Sequence, residues 1–245
     1  MHEQLWFTAI LNHVFAGPVT GLLRALHLEP EFPEAPITNA VAMEVLVVLF
    51  LVGLFLLVRA RLSVDRPGTL QHVFEGIHGF IQGQSHEIIG HGSESFTPFL
   101  VALALFILCC NLLGVIPGFE SPTALAFGVV PLGCAVCAFF YYHAQGFKHA
   151  GIAYLKHFLG PMLFLAPLML PIEIISHLAR MLSLTIRLYA NMFAGDMVTL
   201  VFFSLVPVGI PIIFLGLHIG VSLLQTYIFV LLTMVYLAGA VAEEH

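Results

Sequence analysis

An all-α integral membrane protein is predicted, and three observations carry the prediction. Of 245 residues, 60% are hydrophobic and only 9% charged, against about 25% charged in soluble domains. The charges are segregated, which leaves apolar stretches near the ~20 residues that carry a helix across a bilayer. Proline and glycine stand between those stretches, as at Pro117–Gly118 and around Pro207, Gly209 and Pro211, where the chain is expected to turn. Only eight Lys and Arg occur, which removes any case for nucleic-acid binding.

Read in order as one membrane domain, residues 1–39 form an outer N-terminal segment. Spans follow at 40–58, 96–117, 122–142, 172–206 and 209–241, with Glu44 near the start of the first. Pro161, Pro167 and Pro171 lead into the fourth. Between the first two spans, Val73, Phe74, Ile77, Phe80, Ile81 and Ile88 recur at helical spacing among Gln71, Glu75, Gln82 and Gln84. That pattern predicts an amphipathic helix over 67–92 on the membrane surface. The last two spans, a helical hairpin, exceed the usual ~20 residues and so require tilt.

Arg59, Arg61 and Arg66 follow the first span, and Lys148 and Lys156 follow the third. Both loops are therefore expected in the cytoplasm. The short loop around Glu120 fits the outside, so five spans put the N-terminus outside and the C-terminus inside. Arg24 alone opposes this count, in a long tail where the rule is weak. The net charge of −6 comes largely from the ends, including Glu29, Glu31, Glu34, Glu243 and Glu244.

Two clusters invite a metal or redox reading and do not sustain it. Cys134 and Cys137 have a redox spacing without a surrounding βαβ pattern. With Cys109 and Cys110 they are expected as buried small hydrophobes. His72, His78, His86 and His91 share the surface-helix region but offer no close pair with a third ligand, so no metal is expected.

The fourth span holds the most informative residue, Arg187. A guanidinium stays protonated, and at bilayer depth it costs roughly 2.5–3.5 kcal/mol on insertion scales. Glu173, Arg180 and Arg187 are spaced by seven, so they share a helix face to within ~20° per step. His177 lies between the first two, and Asn191 follows Arg187 by one turn. Asp196 falls on the opposite side, ~13 Å further along the axis, so pairing with Arg187 as structural glue is disfavoured.

Asp196 lies eleven residues before Pro207 and His218 eleven after it, which puts the two at similar depth in an antiparallel pair. By the same count Gln225 lies near the level of Arg187. An acid–imidazole pair, Asp196 with His218, thus occupies the outer half of the hairpin. Such a chain of polar groups in a membrane suggests a wet ion path, with Arg187 as a barrier that only a neutralised carrier passes. The face of Glu173, His177 and Arg180 opens toward the cytoplasm. Arg180 and Glu173 also suit a mere interfacial end of the helix, and both readings stand. Asn111 is read as helix glue or as channel lining.

These residues carry a resemblance. The stretch from Ser183 through Arg187, Asn191 and Gly195 to Asp196 resembles the signature of subunit a of F-type ATP synthase. The run from His218 through Gln225 to Tyr236 is similar to that subunit's last helix, and Glu243–Glu244–His245 is similar to its bacterial members. Asn111 to Pro117 and Glu120 to Thr123 add weaker likeness. The resemblance implies a non-catalytic stator subunit in the bacterial inner membrane, with no cofactor. Its implied partners are a ring of c subunits, the peripheral-stalk b subunits and the rest of the synthase. It further implies that Arg187 faces the ring, with Asn191 and Gln225 as polar neighbours. Asp196 and His218 then line the periplasmic half-channel, and Glu173 stands near the cytoplasmic one. His177, Arg180, Asn111 and Ser183 are further candidate lining residues. In two places the chain departs from relatives: some carry Glu at the position of Asp196, and certain relatives have Asp where Gly114 stands.

A polytopic secondary transporter with an Arg/Asp/His ion pathway is the alternative. It is expected to show internal repeats and paired broken helices, and no convincing repeat is found. A haem-bearing membrane anchor needs paired ligating histidines, which His143, His149 and His157 in a basic loop supply poorly. No phosphate-binding loop or nucleophile motif occurs, so ATP chemistry is expected in other subunits.

Overall fold

The computed structural model describes residues 5–25, 35–63, 66–90, 92–116, 119–125, 128–151, 154, 166–205 and 210–241. His91, Lys156, His157, Pro161, Pro207, Gly209 and the acidic ends lie outside that set. The described residues form helices and no strand. In chain order these are α1 (Trp6–Ala25), α2 (Asn39–Ala60), α3 (Thr69–Ile89), a 3-10 turn (Ser93–Ser95), α4 (Thr97–Leu113), α5 (Val129–Ala150), α6 (Ala166–Leu205) and α7 (Ile210–Val241). Among the described residues, four helices are long and apolar enough to cross a membrane: Trp6–Ala25, Asn39–Ala60, Pro167–Phe202 and Ile212–Val241; α4 is a shorter apolar one.

The boundaries differ from the sequence expectation: α4 ends at Leu113 rather than 117, α6 begins at Ala166 rather than 172, and two further differences have a local explanation. The outer N-terminal segment contains a 20-residue helix, α1, which Asn12, His13, Pro18 and Arg24 had obscured as an apolar run. The third predicted span begins at 122, but α5 starts at Val129 and continues to Ala150. Ser121 and Thr123 explain the late start. Their hydroxyls lie 2.7 Å apart, and Ala124 N–H donates to the Ser121 carbonyl at 3.0 Å, a turn that holds the chain out of helix. Gly128, at φ +79°, then redirects it; a Cβ there would sit 3.3 Å from Tyr189 Cβ.

The chain divides into two compact units. The first comprises Met1–Phe55, Phe106–Val130 and Tyr189–Ser222. Here the Asn12 side chain pins α1 by accepting from Ile37 N–H and donating to Ile37 C=O, both at 3.0 Å. Asn39 accepts from Leu5 N–H and donates to Glu120 Oε2, each at 3.3 Å. The start of α1 therefore lies beside the start of α2. In a membrane hairpin the end of one helix, not its beginning, would meet the start of the next. Ala40, Ala42, Met43 and Val47 of α2 are buried, and the two alanines are small enough to admit close packing.

The second unit comprises Leu56–Leu105, Pro131–Leu188 and Leu223–His245. Its buried side chains include Leu100, Leu103, Ala135, Ala138, Leu184, Leu188, Phe229, Met234 and Leu237. Phe99 stacks on Tyr141 with ring centroids 3.7 Å apart. On α3, Ile81 and Ser85 are buried, and Phe74, Ile77 and Ile88 are partly so, while Leu70, Val73 and Phe80 stay exposed. The Tyr227 hydroxyl of α7 donates to Gln84 at 3.2 Å. Of the cysteines, Cys110 and Cys134 are buried and Cys109 partly so, but Cys137 is exposed. Three residues along α5 rotate it ~60° away from Cys134, enough to leave the packed face.

Candidate functional site: two acid–histidine pairs with both acids on one helix

The helix α6 has 40 residues, ~60 Å at 1.5 Å per residue. Its threonine hydroxyls bond back to the helix itself. Thr185 donates to the Met181 carbonyl at 2.9 Å and Thr199 to the Gly195 carbonyl at 2.8 Å, so these side chains satisfy themselves on the helix. Pro171 falls within the helix's opening turns.

In the first unit Asp196 Oδ1 lies 3.6 Å from His218 Nδ1, with side-chain exposures of 29% and 4%. This is the proximity that counting from Pro207 in both directions predicts. Gly195 makes the approach feasible, since a Cβ there would stand 3.1 Å from His218 Nδ1. His218 Nε2 is buried and has no hydrogen-bond partner among the described residues. A cavity of about 210 Å³ touches His218, with Asn191, Thr199, Phe214 and Val221 among its other lining residues. Water takes ~30 Å³ per molecule in the liquid, so the cavity has room for several beside the imidazole.

Asn111 is fully buried in the same unit. Its amide donates to the Ser222 carbonyl at 3.5 Å and its oxygen accepts from Thr123 at 2.7 Å. Ser121 in turn donates to the Cys110 carbonyl at 3.1 Å. These bonds tie α4 to α7 and to the turn before α5, which favours the glue reading of Asn111. Gly114 lies close by. A Cβ on it would meet Ser121 Cβ at 2.8 Å and Asp196 Oδ1 at 3.4 Å, so this chain has no room for the side chain that certain relatives carry there.

The second unit holds another pair. His177 Nε2 lies 3.3 Å from Glu173 Oε1, and His177 Nδ1 lies 2.9 Å from the Tyr142 hydroxyl. His143 Nδ1 and the Tyr154 hydroxyl are 2.8 Å apart. Arg180 does not join Glu173 in an ion pair; its guanidinium stands 5.4 Å over the Tyr236 ring, a cation–π placement. Gly146 opens the space, because a Cβ there would stand 2.6 Å from the Tyr154 ring and 3.1 Å from the Ala240 carbonyl oxygen.

Tyr142, His143 and Tyr154 were not legible as site residues. Tyr142 reads as the last residue of an apolar span and the other two as loop. Only a register between α5 and α6 could have linked them to His177, and a long connection separates those helices.

Arg187 is partly exposed, Asn191 and Ser183 are exposed, and Gln225 is buried. Among the described residues Arg187 pairs with no carboxylate, and Arg187, Asn191 and Gln225 make no side-chain hydrogen bond. Beside Arg187 along α6, Ile175, Leu178, Leu182, Ile186 and Phe193 are exposed large apolar residues. A fixed cation on the flank of such a stripe suits contact with lipid or another apolar surface.

The comparisons with known proteins decide the family. The family model for the ATP synthase A chain matches residues 41–238. The chain is 58% identical to ATP synthase subunit a of Koribacter versatilis (strain Ellin345) over 246 residues, covering 100% of both chains.

The chain belongs to the ATP synthase A chain family.

The subunit a of Solibacter usitatus (strain Ellin6076) is 52% identical over 96% of this chain and 100% of its own. Subunit a 1 of Syntrophotalea carbinolica is 44% identical over 82% and 84%. Membership makes this chain a non-catalytic, proton-translocating subunit of the synthase's membrane sector. Glu173, His177 and Asp196 of α6 and His218 of α7 all fall inside the matched region of the ATP synthase A chain model.

Proposed function

We propose that this chain is the stator of the membrane motor, with two offset aqueous half-channels that lead protons to and from a rotating ring of c subunits. One observation carries the reading: Arg187, without a carboxylate partner among the described residues, falls in the sequence of α6 between the Glu173–His177 pair and Asp196, which His218 of α7 meets. Glu173 and Asp196 are 23 residues apart, ~34 Å along a helix, about the thickness of a hydrocarbon core.

Protons enter through Asp196 and His218 from the periplasm and neutralise a ring carboxylate. The neutral carrier moves into lipid, which a charged one cannot do cheaply. When it returns, Arg187 favours its ionised form and the proton leaves toward Glu173. The cation also blocks direct passage between the paths. Asn191 and Gln225 hydrate the guanidinium. His177, Arg180, Ser183 and Asn111 are candidate lining groups, with Asn111 chiefly structural.

Five crossings, by α2, α4, α5, α6 and α7, put the C-terminus in the cytoplasm of a cell with this inner-membrane protein. The arrangement of Leu5 and Asn12 beside residues 37–39 supports α1 as an outer, non-crossing helix. The amphipathic α3 lies on the cytoplasmic surface. The b subunits of the peripheral stalk and the remaining synthase hold the stator against the ring's torque.

Arg187→Ala in the reconstituted complex is expected to abolish ATP-driven proton pumping while the complex still assembles. Normal pumping by that variant refutes the reading. Arg187→Lys is also expected to fail, because a compact ammonium lacks the planar fork.

A further inference from the structure

Both ring nitrogens of His177 have partners. Nε2 faces the Glu173 carboxylate at 3.3 Å, and Nδ1 faces the Tyr142 hydroxyl at 2.9 Å. Exposure falls along this line: the side chain of Glu173 is 31% exposed and that of His177 9%, while Tyr142 is buried. The other titratable or charged groups around the imidazole are His143, whose ring centroid is 4.8 Å away, Tyr154 bonded to His143, and Arg180 with Tyr236.

A phenol hydroxyl both donates and accepts. Tyr142 can donate to Nδ1 when the ring lacks a proton there and accept from Nδ1–H when it has one. The imidazole therefore keeps its Tyr142 bond in either charge state, while Nε2 donates to the ionised Glu173 when it carries a proton. An anchor that only ended the helix would need no partner on both nitrogens.

We propose that His177 carries protons on the inner path, exchanging them with Glu173, and that Tyr142 is the positioning residue that holds the ring aligned in both charge states. This rests on the half-channel reading above. In the uncharged ring Nδ1–H is donated to Tyr142. A proton from hydronium in the path adds to Nε2, and the imidazolium is held by the ionised Glu173. On release the Nε2–H bond breaks, the proton passes to Glu173 Oε1 and then to water, and both groups return to their starting forms. Only N–H and O–H bonds form and break, and no electrons change hands.

The test uses the whole complex in liposomes, with proton flux and ATP-driven pumping measured for the wild type, His177→Ala, His177→Gln, Tyr142→Phe and Arg187→Ala. Flux in His177→Ala and His177→Gln is expected to fall about tenfold with coupling retained, below the full effect of a proton-transfer group because water substitutes in a wet path. Imidazole added on the side of the ATP-hydrolysing sector is expected to restore much of the flux of His177→Ala. Thiazole, a ring of like size that stays unprotonated near neutral pH, is expected not to. Tyr142→Phe, which removes one oxygen, is expected to assemble normally, with lower flux and a shifted pH profile.

Wild-type flux in the His177 variants overturns the proposal, as does rescue by thiazole equal to that by imidazole. If His177→Ala fails to assemble, Tyr142→Phe with an unchanged pH profile overturns it as well. Arg187→Ala separates the two levels. If that variant is inactive while the His177 variants are wild-type, only the relay falls. If it pumps normally, the half-channel reading falls and takes the relay with it.

Discussion

At Asp196 and His218 the controlling feature is an absent methyl group. Gly195 leaves room for the imidazole, and a Cβ would press on Nδ1 from 3.1 Å. Gly195→Ala is therefore expected to push the ring from its partner and slow proton flux severalfold, as Asp196→Asn and His218→Ala should, with assembly intact. Unchanged flux would show that the 3.6 Å approach is not needed. Gly114→Asp tests the neighbouring contact. Its Cβ would meet Ser121 Cβ at 2.8 Å, an overpacking that costs ~1–3 kcal/mol. A lower thermal unfolding midpoint in detergent is expected. Arg187 and the Asp196–His218 pair were legible in the sequence because helical periodicity and a counted hairpin are local geometry. Gly195 and Gly114 were not, because a glycine's need to be small depends on what another segment brings to it.

Among the elements, α1 shows how docking depends on few groups. Asn12 holds both the N–H and the C=O of Ile37. Asn12→Leu leaves that peptide without either bond, and each unmade bond to a buried group costs about 1–3 kcal/mol, toward the lower end where water reaches it. Trypsin is then expected to cut after Arg24 faster than in the wild type; equal rates would assign the docking to apolar contacts instead. The helix α1 escaped the hydropathy reading because its polar residues dilute the run. By contrast α2, with no charge between Glu44 and Arg59, was found to within two residues at each end. The late start of α5 came from hydroxyl bonds among Ser121, Thr123 and Asn111. Local propensity does not encode such bonds.

For the whole molecule the proposed orientation is the open quantity with the simplest test. In a cysteine-free background, Ser63→Cys is expected to react with an impermeant maleimide only from the cytoplasmic side, and Glu120→Cys only from the periplasmic side. The opposite pattern would invert both half-channels. Composition alone decided that the chain is a helical membrane protein, since so few charges and such long apolar runs have no other stable home. It also decided that one costly cation stands in a helix with acids and histidines at fixed steps from it. Only the tertiary structure decided that His177 meets Glu173 on one nitrogen and Tyr142 on the other. Helical steps are set by backbone geometry, which every residue shares, whereas partners on other helices are set by packing, which no spacing in one segment can specify.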